Sequence, residues 1–100
     1  MKRSERRRKY FAEVKKKTDL IRSEIPGREY GHTLDHVLSV RYGFNHDIPA
    51  SLIASHRNLK WMHFNENIQK GSRMTTGAIF NLRRWGYTDL ADIETAKLKR

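Results

Sequence analysis

In the stretch LDHVLSVRYGF, residues 34–44, Asp35 and His36 stand side by side at the end of an apolar run, in a chain otherwise crowded with lysine and arginine. Two chemistries are open to such a pair. One is a hard oxygen ligand beside a general base, set over a phosphate that cationic side chains hold. The other is a polar corner that merely closes a turn in a small nucleic-acid-binding domain. Taken alone, His36 reads as a satisfied structural histidine, and only further residues arranged around it change that reading.

Those further residues need elements to carry them. Residues 29–40, EYGHTLDHVLSV, mix β-branched, aromatic and apolar side chains and predict a strand ending near the Asp-His pair. A loop follows, with PASLIA as a short helix that carries Pro49 in its first turn. NLKWMHF predicts a second strand, and NENIQKG a helix with Asn65 as N-cap and Gly71 as stop. Asn58 thus precedes the second strand and Asn67 lies on the helix, in a ββα order. Adjacent residues of a regular strand point to opposite faces, so Asp35 and His36 converge only at a strand end, bulge or twist.

On these residues, DH at 35–36, NL at 58–59 and NENIQKG at 65–71, the stretch resembles the HNH endonucleases. This is the ββα-metal or His-Me finger group, in the variant whose signature reads His, Asn, Asn, and it looks most like the small HNH proteins of bacteriophages. The likeness covers about 40 residues of the 100. The interval of nine residues from Asn58 to Asn67 suits a strand and the entry to a helix, whereas the 22 residues from His36 to Asn58 are long for a ββ hairpin. The resemblance implies an α+β fold with a ββα-metal core at 29–73, to which charge and helical spacing add a basic N-terminal helix at 1–28 and a C-terminal helical segment at 74–100, all in one compact domain.

It also implies roles. His36 would be the general base, neutral at physiological pH if its pKa stays near about 6.5. Asp35 and Asn67 would hold Mg²⁺, or Mn²⁺ in its place, through hard oxygens. Asn58 would tie the loop backbone so that His36 keeps one orientation. Asn65 competes with Asn67 as ligand, but fits an N-cap better. A zinc pair formed by His32 and His36 would need a helix where the sequence favours a strand.

Composition points the same way. The 100 residues carry 21 Lys and Arg against 11 Asp and Glu, a formal charge of +10, so a polyanion is the expected partner. Nine basic residues fall in 2–17, seven of them within a helix expected over Ser4–Ser23 whose apolar stripe includes Tyr10, Phe11, Val14 and Leu20. Arg6, Arg7, Arg8, Lys15 and Lys16 are the expected phosphate contacts, with Lys70 and Arg73 beyond Asn67 either joining them or serving as ordinary surface charge. The helix lacks the broad apolar face that a membrane surface would take up. No run of about 18 apolar residues suggests a membrane span, no secretory signal is evident, and the absence of cysteine suits a reducing cytosol. Helices are expected at Thr75–Trp85 and from about Leu90, and Trp61 and Trp85 read as core residues rather than base-stacking platforms.

The expected activity is hydrolysis of DNA, RNA remaining open, by a monomer that nicks or a dimer that cuts both strands. The rivals are a non-catalytic nucleic-acid-binding protein and a nuclease-derived regulator that binds a protein partner.

Overall fold

A computed structural model describes residues 1–99 of the chain. The first helix, α1 (Arg3–Ile21), runs through a stretch without glycine or proline and passes into a 3₁₀ turn, Arg22–Glu24. Its end is chemically determined: Ile25 precedes Pro26, which disfavours helical backbone, and Gly27 turns the chain at φ +94°. Val14 and Thr18 are the buried residues of α1, with Tyr10 and Phe11 partly covered. Leu20, expected on that stripe, is 72% exposed, and Thr18 takes the inward position four residues after Val14.

Strand β1 (His32–His36) pairs antiparallel with β2 (Leu59–His63) in a two-stranded sheet, His36 opposite Leu59 and Asp35 opposite Lys60. The first strand is shorter than the 29–40 expected for it, because Ser39 caps a helix instead. This helix, α2 (Val40–Asn45), lies where a loop was expected, and its cap is the Ser39 hydroxyl accepting from the Tyr42 amide at 3.0 Å. Its Gly43 is a packing residue. A Cβ there would come within 2.7 and 2.8 Å of the Ile53 side chain and closer still to the Tyr10 hydroxyl, so only glycine lets α2 sit this deep. The anticipated short helix, α3 (Ala50–Ile53), forms with Pro49 as its N-cap and not in its first turn, and a 3₁₀ turn at His56–Asn58 delivers the chain to β2.

From β2 the chain passes directly into α4 (Phe64–Lys70), which Gly71 ends. The N-cap of α4 is His63, whose Nδ1 accepts from the Asn65 amide at 3.2 Å, so Asn65 is the second helical residue and not the cap. Two further helices, α5 (Thr76–Arg84) and α6 (Thr88–Leu98), close the domain, the first capped by the Thr75 hydroxyl.

One apolar core draws on all three sequence regions: Val14 from α1, Leu38, Ile48 and Ile53 from the segment between the strands, and Ala78, Leu82 and Ala91 from the C-terminal helices. Each fully buried Leu, Ile or Val contributes about 1.5–3 kcal/mol relative to exposure. A second cluster, Ile25, Leu59 and Trp61 with Ile21 and Leu34, covers one face of the hairpin, where the Trp61 indole N–H donates to the Ile25 carbonyl at 2.9 Å. Trp61 is therefore a core residue, as its neighbours in sequence suggested. No helix among the described residues is long and apolar enough to cross a membrane.

Candidate functional site

The regular pairing of β1 sorts its side chains by parity. His32, Leu34 and His36 share a face with Leu59, Trp61 and His63, while Thr33 and Asp35 share the opposite face with Lys60 and Met62. The second face is the one α4 covers. There the Lys70 ammonium donates to Asp35 Oδ1 at 3.2 Å and to the His36 carbonyl at 3.2 Å, and Asn67 Nδ2 donates to the Thr33 hydroxyl at 2.8 Å. Asp35 and Asn67 therefore lie on one side of the hairpin, as a shared role would require.

His36 does not join them. Its Nε2 sits 3.0 Å from the Thr18 hydroxyl of α1, and its side chain borders a hollow of about 400 Å³ lined also by Val14, Lys15 and Arg22. Burial first, then the nearby positive charges of Lys70 and Arg22, pushes its pKa down from 6.5 to about 4. The imidazole is thus neutral at physiological pH by a wider margin than its ordinary value would provide. Because the unfolded state takes up this proton near pH 6.5 and the folded state only near 4, the His36 contribution is full above about 6.5. It is lost as the pH falls through that window, by up to about 3 kcal/mol. Urea unfolding of wild type between pH 7 and 4 should show this slope, and His36→Gln should flatten it; an unchanged slope would assign the acid sensitivity to other groups.

Asp35 is only 5% exposed, and its Oδ2 has no hydrogen-bond partner. Desolvation raises its pKa above the ordinary 3.8, outweighing the opposing pull of Lys70 and Lys60. Lys70, expected to be a surface or phosphate-contacting charge, is buried at 8% exposure and committed to this carboxylate. An uncompensated Asp35 would be costly in such surroundings, which is the physical reason a lysine is drawn inward here. Arg73 remains exposed, as do Arg6, Arg7, Arg8 and Lys16; Lys15 is exposed and pairs with Asp19 at 2.9 Å, and Arg7 lies 4.3 Å from the Phe11 ring centroid.

Asn58 is fully buried, and all four hydrogen-bonding positions of its amide are used, three on backbone groups around the site and one on the Asn81 side chain. Oδ1 accepts from the Leu38 amide at 2.8 Å and from Asn81 Nδ2 at 3.0 Å, while Nδ2 donates to the Leu38 carbonyl at 2.9 Å and the Ile53 carbonyl at 2.8 Å. The two ends of the long insertion between the strands are thereby clasped just after His36.

Asp35 also borders a cavity of about 570 Å³ between the hairpin and α5, whose walls include Arg57, Lys60, Met62, Phe80 and Arg84. None of these five stood out in the sequence. The signal that was available is the i, i+4 spacing of Phe80 and Arg84 on a helix whose other side is apolar.

Among the described residues no group of three or more His, Cys, Asp or Glu side chains converges as a metal site. Asp35 offers an unpartnered, buried carboxylate oxygen, a hard donor of the kind a divalent ion takes, and Asn67 lies on the same face of the hairpin, hydrogen-bonded to Thr33. No family model, curated protein or solved structure matches this chain.

Proposed function

We propose that the protein is a metal-dependent endonuclease of the ββα type that hydrolyses DNA phosphodiester bonds on the Asp35 face of the hairpin. The observation that carries this reading is Asp35 itself, a buried carboxylate with one free oxygen beside a cavity whose other charged walls are cationic. The likeness to HNH enzymes and the clasp made by Asn58 add to it. In this reading Asp35 and Asn67 would hold Mg²⁺ or Mn²⁺, which supplies charge stabilisation to the phosphate and the leaving oxygen. The chain's own residues do the rest. Asn67 is steadied by Thr33, and Lys70 offsets the charge of Asp35 through the other carboxylate oxygen. His36 is the proton acceptor. Its Cβ points away from this face, so the last pair of the ladder, His36 with Leu59, has to open for the imidazole to leave Thr18 and reach an attacking water.

A second reading, a nucleic-acid-binding protein without catalysis, is favoured by two observations: His36 faces α1, and Lys70 already neutralises Asp35. Incubation with supercoiled plasmid in Mg²⁺, in Mn²⁺ and in EDTA separates them. Metal-dependent relaxation is the expected result, and a gel shift without relaxation in either ion would establish the binder.

The basic helix should contribute affinity and no chemistry. Charge reversal at Arg6, Arg7 and Arg8 alters only exposed side chains, so α1 should still dock through Val14 and Thr18. Binding should weaken alike on unrelated duplexes, and the salt dependence should become shallower by about 0.9 per lost phosphate contact. A variant that keeps the wild-type slope in a salt titration would take this helix off the DNA path.

A further inference from the structure

Phe80 is 59% exposed on a helix whose opposite side, Ala78, Ile79 and Leu82, is packed into the core. It borders the cavity beside Asp35, and the Arg84 guanidinium lies 4.8 Å from its ring centroid. Arg57 and Lys60 stand on the same walls, and among the described residues none of Arg57, Lys60 and Arg84 has a carboxylate within ion-pairing distance. The site therefore presents a flat apolar ring, one guanidinium resting on it, and three cations outside any ion pair, in a space of about 570 Å³, within the roughly 300–1,000 Å³ of ordinary ligand pockets.

A phosphate alone would use the cations and leave the ring without a role. A paired duplex would do the same, because its bases are stacked on one another and offer no face to a side chain. An unpaired nucleotide satisfies both at once: its base stacks on an aromatic ring and its flanking phosphates meet the guanidinium and ammonium groups.

We infer that this cavity binds an unpaired nucleotide of DNA, its base stacked on Phe80 and its phosphates held by Arg57, Lys60 and Arg84. The substrate is then a single-stranded, flapped or otherwise locally unpaired DNA and not a continuous duplex. The inference rests on the reading of the Asp35 face as the phosphodiester site, and it selects the substrate class of that site.

The experiment is fluorescence anisotropy with the full chain in EDTA, using a labelled single-stranded oligonucleotide and a duplex of the same sequence. Phe80→Ala should weaken single-strand binding about tenfold, the scale of one base–aromatic stack, and leave duplex binding within about twofold. Phe80→Trp should restore it. Since Phe80 is largely exposed, the fold should persist, which circular dichroism checks. Single-strand affinity unchanged in Phe80→Ala, or equal losses on both substrates, would overturn the inference. EDTA removes cleavage from the measurement, so binding at the cavity is tested even in a chain that never cuts DNA, and an active nuclease indifferent to Phe80 loses only this inference.

Discussion

Asn58→Ala should cost the domain about 4 kcal/mol or more, enough to lower its melting temperature by roughly 15–30 °C. The side chain is wholly buried, and four polar groups depend on it: the Leu38 amide and carbonyl, the Ile53 carbonyl and the Asn81 amide. A carboxamide has two N–H donors and two acceptor lone pairs, and all four are used. Alanine leaves the three backbone partners inside the protein without this bond, while the Asn81 amide keeps only its longer bond to the Arg57 carbonyl at 3.3 Å. Each such orphan costs about 1–3 kcal/mol, against a total stability of about 5–15 kcal/mol for a domain of this kind. Urea and thermal melts monitored by circular dichroism measure the loss. A change below about 1 kcal/mol would mean that the backbone around Leu38 and Ile53 re-pairs without help, and that the insertion is held by apolar packing instead.

Asp35→Asn should reduce plasmid cleavage more than about 100-fold while leaving DNA affinity within a few-fold. Asparagine is the informative replacement. It conserves volume and leaves an oxygen for the Lys70 ammonium, whereas Asp35→Ala would strand that buried cation and mix lost folding with lost chemistry. Asn67→Ala should behave as Asp35→Asn does, with weakened Mn²⁺ binding by calorimetry in both. His36→Ala should reach a comparable loss of rate with metal affinity intact, since its assigned part is proton transfer. Cleavage within a few-fold of wild type in His36→Ala would confine that histidine to packing against Thr18, and unchanged Mn²⁺ affinity in both ligand variants would move the metal elsewhere.

Local chemistry made much of this architecture legible. The charged run without glycine or proline announced α1, the proline and glycine after Ile25 marked its end, and the two short apolar runs on either side of PASLIA became β1 and β2. Asn58 is the expected tie for the loop, and its amide does bind the loop backbone. What stayed hidden depended on neighbours distant in sequence. Gly43 fell in the stretch expected to be a loop, yet its value lies in the space it leaves for Tyr10 and Ile53. Lys70 read as surface because lysine is seldom buried alone, and only the placement of Asp35 opposite it explains its position. That strand parity would set Asp35 and His36 on opposite faces was legible; that the pairing stays regular through His36 was not. Which faces the helices would cover, and hence that Thr18 rather than Leu20 meets His36, was not written in either neighbourhood.

The interval of 22 residues from His36 to Asn58 has a kinetic consequence. Two strands joined by a tight turn zip together from that turn. Here the first pair next to the connection, His36 with Leu59, can form only after the chain between them has closed into a loop. The entropy of closure grows only slowly, by about 0.6 kcal/mol per doubling of loop length, but it is spent before the sheet returns anything. Helices α2 and α3 shorten the effective loop by folding within it, so their formation, with Gly43 seated against Ile53, is expected to precede the sheet. A lesion at Gly43 would therefore slow folding as well as weaken the folded state, and the chain would wait with β1 and β2 exposed and unpaired.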